Sequence, residues 1–189
     1  LVQTCEQCCK QVAALSQINL IALSFPKSFN TKKHKKIVKN QSKMMENIDT
    51  IKAQGNRLKG LHYVLLDQKL KNTDISQLQT IQDTINNLTQ QLSGTIDESL
   101  SLLQQNYQLM QNNLDKPTKK DSSNSDLQKT IEQDSQEINA IQQEGNNSIT
   151  PDQFAQFLNT YQRNLESYNA SMTAKKPNHF SLFGGRRSS

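Results

Sequence analysis

Residues 75–114 read ISQLQTIQDTINNLTQQLSGTIDESLSLLQQNYQLMQNNL, with apolar side chains at Leu78, Ile81, Ile85, Leu88, Leu92, Ile96, Leu100, Leu103, Tyr107, Met110 and Leu114. Steps of three and four residues put all of them on one face of a helix. Their alternation is a heptad, which a helix satisfies by winding its stripe against a partner helix. Between Leu92 and Leu103 the spacing covers 11 residues, a local insertion that relaxes the left-handed supercoil. Gly94 lies inside this stretch. It reads as tolerated, at about 1 kcal/mol against Ala, rather than as the mark of a bend or a close crossing.

The segment before it carries a matching stripe: Ile37, Gln41, Met44, Ile48, Ile51, Gly55, Leu58, His62 and Leu65. Gln41, Gly55 and His62 make that stripe imperfect. Only the short polar turn Lys71–Asn72–Thr73–Asp74 separates the two, and Thr73 or Asp74 can cap the second helix through a side-chain oxygen. Loops this short join antiparallel neighbours. Residues 37–115 are therefore expected to form a long helical hairpin, with arms of roughly 50 and 60 Å at 1.5 Å per residue. Charge points the same way. Residues 1–72 carry a net +9, residues 73–115 a net −5 and residues 116–189 a net +1, a contrast that predicts the first two lie against each other.

Residues 116–125 form a polar loop. A shorter helix follows with Leu127, Ile131, Ile138 and Ile141, and Asp134 falls on its stripe. Thr150–Pro151–Asp152–Gln153 is a strong helix start, with a capping Thr, Pro at the first helical position and Gln completing a capping box. Phe154, Leu158, Tyr161, Leu165, Tyr168 and Met172 then share one face. Tyr107, Tyr161, Tyr168, Phe154 and Phe157 are expected in the core. Residues 126–173 read as a second, shorter hairpin packed on the first, and residues 174–189 as a flexible basic tail.

The fold class is thus all-α: an elongated antiparallel helical hairpin and bundle with coiled-coil-like heptad packing. Composition fits. The chain of 189 residues is 33% hydrophobic and 5% aromatic, lacks Trp, and holds 6 Gly and 4 Pro, which suits long helices burying narrow stripes. It holds 19 Asn and 24 Gln, so many helix faces are polar without charge. The first residue is Leu1 rather than Met, which reads as the start of a processed or excised piece. The most apolar run, Val12 to Phe25, is too short and too interrupted for the roughly 20 residues of a membrane span.

Residues 1–36 form a separate segment holding the only cysteines, Cys5, Cys8 and Cys9. Three thiolates on one helix face need a fourth ligand to hold zinc, and His34, His62 and His179 are distant in sequence. No metal or other cofactor is expected. The thiols are candidates for a disulfide or for lipidation, because a cysteine cluster, a semi-apolar run and a polybasic stretch together supply two membrane signals. The polybasic stretch (Lys27, Lys32, Lys33, Lys35, Lys36, Lys39) is a candidate contact for an anionic partner such as an acidic membrane surface. It lacks the Arg and interleaved aromatics of a nucleic-acid groove, so nucleic acid is not expected. Phe180, Phe183, Arg186 and Arg187 in the tail are candidate docking residues. No carboxylate pair, phosphate loop or nucleophile motif points to catalysis, so neither an enzyme nor a small-molecule substrate is expected. The expected function is interaction with another protein or a second copy of the chain. The Asn/Gln/Lys-rich style suits a secreted virulence factor or secretion-apparatus component of an AT-rich bacterium, and the alternative is a peripheral membrane protein anchored through the N-terminal segment. Either way, an exported or membrane-peripheral setting is favoured.

Overall fold

The computed structural model describes residues 13–14, 31–71, 74–114, 122–144 and 149–188, with side chains in the last stretch described as far as Thr173. Among the described residues there are four helices and no strand: α1 (Lys32–Leu70), α2 (Ile75–Asn113), α3 (Ser122–Gln143) and α4 (Pro151–Ser188). α1 and α2 have 39 residues each, a rod of roughly 58 Å. Every position of the α1 stripe from Ile37 to Leu65 is buried, including Gln41, Gly55 and His62. On α2 the stripe is buried from Ile85 to Leu114, and Leu78 and Ile81 are half-buried against it.

The hairpin forms without the ion pairs that the charge contrast suggested. Both described salt bridges, Lys43–Glu46 at 3.7 Å and Lys71–Asp67 at 3.0 Å, run along α1 and its C-cap. Apolar side chains and neutral amides hold the seam instead. Asn40 Nδ2 donates to Asn106 Oδ1 at 3.0 Å, and Asn113 Nδ2 donates to the Lys33 carbonyl at 3.0 Å. Exposed charge pairs contribute little in water, so the described seam rests on apolar packing and amide bonds.

The local start signals act as the sequence implies. Asp74 caps α2, accepting from the Ser76 backbone N–H at 3.5 Å and the Ser76 hydroxyl at 2.9 Å. Thr150 and Gln153 bond reciprocally at 3.1 and 3.2 Å, a complete capping box. Ile149 and Phe154, both buried, flank it at the spacing of a hydrophobic staple. α1 begins at Lys32 rather than near residue 37. Lysine is a good helix former, and buried His34, whose ring lies 5.8 Å from that of Tyr168, ties the first turn down. At the other end of the chain the backbone stays helical to Ser188, where the sequence placed the end of the helix near residue 173. Ala174, Lys175 and Lys176 are good helix formers, so the helix carries on beyond residue 173.

Side-chain contacts fix the arrangement. α2 meets α3 where Gln104 Nε2 donates to the Ser135 carbonyl and to Asn139 Oδ1, both at 3.0 Å, and where Gln128 Nε2 donates to the Leu114 carbonyl at 3.3 Å. α3 meets α4 at Asp134 and Asn164, and α4 returns to α1 at Tyr161 with Gln41 and Tyr168 with His34. Consecutive helices are antiparallel, and α4 packs on α3 and α2 while touching α1 through these two tyrosines. This bundle occupies one half of the rod. Carried back along α4 in steps of seven, the register sets Phe154 level with Ile48. Among the described residues, only α1 and α2 continue beyond that level, for roughly 30 Å. The spacing insertion in α2 falls at this junction. Beyond it Ser99, Asn106 and Asn113 add a third buried column to α2.

Candidate functional site

The centre of the bundle is polar. Tyr161, fully buried on α4, donates its hydroxyl proton to Gln41 Oε1 at 2.6 Å and accepts from Asn106 Nδ2 at 2.9 Å. Asn106 Nδ2 also reaches the Ile37 carbonyl at 3.3 Å. The next residue of α2, Tyr107, packs its ring on that of Tyr161, with centroids 5.6 Å apart and planes tilted by 57°. Asn164 Nδ2 donates to the Tyr107 hydroxyl at 3.3 Å and to Asp134 Oδ2 at 2.6 Å. The layer therefore links all four helices. Asp134, which falls on the apolar stripe of α3, is explained by this bond: it is half-buried and answers a buried amide.

Burial pushes the Tyr107 and Tyr161 hydroxyls well above their usual range, partly offset by the amides of Asn164 and Asn106 respectively. The Tyr168 hydroxyl is likewise pushed up by burial, to about 12. Phenols held neutral in this way donate and accept hydrogen bonds but do not work as acids or bases near neutral pH. Tyr161, Asn106 and Asn164 are paired only when the helices are aligned in one way, so the layer acts as a register lock.

Beside the layer lies a cleft of about 90 Å³ between α2, α3 and α4, lined in part by Tyr107, Asp134, Glu137, Phe157 and Thr160. It is open to solvent and has room for a few waters. Among the described residues no group of His, Cys, Asp and Glu is placed to hold a metal ion.

The residues singled out in the sequence are not brought together. Cys5, Cys8, Cys9 and Lys27 lie outside the described residues. Lys32, Lys33, Lys35, Lys36 and Lys39 are exposed on the first two turns of α1, and none of them forms a described ion pair. Phe180, Phe183, Arg186 and Arg187 fall in the last stretch of α4, where the backbone alone is described.

A different surface escaped the sequence reading. Among the described residues the exposed large apolar side chains are Tyr63 at 60%, Val64 at 45%, Leu70 at 85% and Ile75 at 79%, and all four sit at the far end of the hairpin. The signal was present. Each is an apolar residue that falls off the heptad stripe close to the turn.

An antiparallel four-helix bundle from which one hairpin projects is the class of protein that these features define. The chain matches no family model, and neither a curated protein nor a solved structure matches it significantly. No helix among the described residues is long and apolar enough to cross a membrane.

Proposed function

We propose that the chain is a non-enzymatic interaction protein, in which a register-locked bundle acts as the base and the projecting hairpin as an arm that meets a partner macromolecule. One observation carries this reading: α1 and α2 run on for roughly 30 Å past the bundle with a sealed seam, polar flanks and an apolar end. A helical arm of this kind offers a long, stiff surface to a protein partner or a second copy. The Asn/Gln/Lys-rich composition fits the setting of a secreted virulence factor or a secretion-apparatus component. The test is an in-register shortening of the arm that deletes 52–65 and 81–94, two heptads from each helix, so that both stripes stay in phase. Cross-linking and mass spectrometry in the native host are expected to lose the arm's partners while the bundle still folds. An unchanged partner set in the folded, shortened protein overturns the reading.

A second reading is a peripheral membrane protein. The five exposed lysines at the start of α1 favour it, since each basic residue near an anionic leaflet adds about 1 kcal/mol of attraction. Co-sedimentation of the natively modified protein with anionic vesicles at low salt tests it, and absence of binding rules it out.

A further inference from the structure

The four exposed apolar side chains gather at the turn end of the hairpin. Leu70 ends α1 and Ile75 begins α2, so they flank the connection and project at the tip. Tyr63 lies one heptad back from Leu70 on the same face of α1, about 10 Å further from the tip. Val64 is beside it. Lys69 and Lys71 bracket Leu70, and Lys59 stands one turn behind Tyr63. Lys71 is paired with Asp67 at 3.0 Å, whereas Lys59 and Lys69 form no described ion pair.

The size of this surface decides its occupant. Two helix ends side by side, each about 10 Å across, present roughly 200 Å² in cross-section. A stable protein–protein contact buries about 800 Å² on each partner. The tip falls well short of that, and the flanks behind it are polar. A phospholipid bilayer has no such area requirement. It takes up a few apolar side chains to a depth of about 5–10 Å, holds tyrosine at the headgroup level with its ring inward and its hydroxyl in water, and pairs lysines with phosphates as their stems reach outward. Two aliphatic side chains flank the polar turn Lys71 to Asp74, with Lys69 beside them and a tyrosine about 10 Å behind, an arrangement that suits the headgroup and interfacial layers.

We propose that the hairpin tip is a membrane-contact element, with Leu70 and Ile75 inserting into the interfacial layer of a phospholipid bilayer, Tyr63 at the headgroups, and Lys59 and Lys69 on their phosphates. This rests on the membrane-peripheral reading and relocates its contact. The basic start of α1 is at the opposite end of the rod, roughly 50 Å away.

The experiment uses the full chain and vesicles of phosphatidylcholine with phosphatidylglycerol. The protein has no Trp, so Leu70→Trp gives a single emission reporter. The Leu70→Trp protein is expected to shift its emission to the blue on vesicles and to be quenched by lipids brominated on the acyl chain. The double variant Leu70→Ser/Ile75→Ser is expected to lose at least tenfold in vesicle partitioning with an unchanged melting curve, because both side chains are exposed in the free protein. If the parent chain does not bind vesicles, the membrane reading itself fails. If it binds and the double variant binds equally well, the tip is wrong and the basic end carries the contact. If the parent chain dimerises without lipid and the double variant does not, the tip belongs to a second copy and the proposal is overturned.

Discussion

Replacing Tyr161 with Phe removes one oxygen from the middle of the bundle and leaves its shape intact. That hydroxyl donates to Gln41 Oε1 at 2.6 Å and accepts from Asn106 Nδ2 at 2.9 Å. Asn106 retains the Ile37 carbonyl at 3.3 Å and the Asn40 amide at 3.0 Å. Gln41 retains nothing, because its Nε2 already lacks a partner. Gln41 Oε1 and one N–H of Asn106 Nδ2 thus lose their partner, and a buried neutral group left so costs about 1–3 kcal/mol. Tyr161→Phe should destabilise by about 2 kcal/mol, a shift of about 1 M in the urea midpoint at an ordinary slope. Gln41→Leu alone also destabilises, since it leaves the tyrosine hydroxyl without an acceptor. The double variant removes the Gln41–Tyr161 pair and places an apolar side chain on the heptad stripe, leaving only the Asn106 N–H without its acceptor, so it should cost no more than about 1 kcal/mol. The cycle therefore predicts a coupling of about 2 kcal/mol. Urea unfolding followed by far-ultraviolet circular dichroism measures all four proteins. A Tyr161→Phe loss below about 0.5 kcal/mol, or additive single effects, refutes the role assigned to this layer.

At Gly60 and Gly94 an added Cβ meets nothing within 4 Å, so Gly60→Ala and Gly94→Ala should each stabilise by about 0.5–1 kcal/mol, and additively; thermal melts check this. Thr150→Ala removes the cap of α4 and should cost about 1 kcal/mol, again read by melting. Above pH 10 or so the unfolded chain releases phenolic protons that the raised pKa values of Tyr107, Tyr161 and Tyr168 retain in the fold, so stability should fall with rising pH by about 1.4 kcal/mol per unit for each tyrosine. Urea midpoints from pH 9 to 12 test this, and a Tyr161→Phe protein should show a shallower fall.

Much of the fold was legible because helix pairing depends on spacing. The stripes of α1 and α2 could be read residue by residue, including the three poor members Gln41, Gly55 and His62. The two caps at Asp74 and Thr150 were legible for a similar reason, since they are local chemistry. The polar layer was not legible. Asn40, Asn106 and Asn164 look like any of the chain's many amides, and only the meeting of four helices distinguishes them from solvated ones. Asp134 was noticed as a flaw in a stripe, but its partner Asn164 lies 30 residues away. The tip was missed for the opposite reason. Attention to apolar residues in register passes over Tyr63, Val64, Leu70 and Ile75, which are informative because they are out of register.

The heptad seam by itself cannot hold the arm in place. Ile37, Met44, Ile51, Leu58 and Leu65 repeat every seven residues, so sliding α1 by one heptad exchanges one apolar contact for another of similar size. The slide moves the tip by about 10 Å. In one direction Asn47 takes the place of Asn40 and can still meet Asn106, but Ile48 replaces Gln41 and leaves the Tyr161 hydroxyl without an acceptor. In the other direction Lys33 and His34 arrive there, and a lysine beside Asn106 cannot be buried without a counter-charge. The discrimination thus comes from positions 40 and 41, where the stripe looked weakest, at about 1–3 kcal/mol for each group orphaned. A single buried polar residue that fixes register at some cost in stability is known from coiled coils. Here the cost is spread over four helices, and it makes the bundle the reference point from which the tip is positioned.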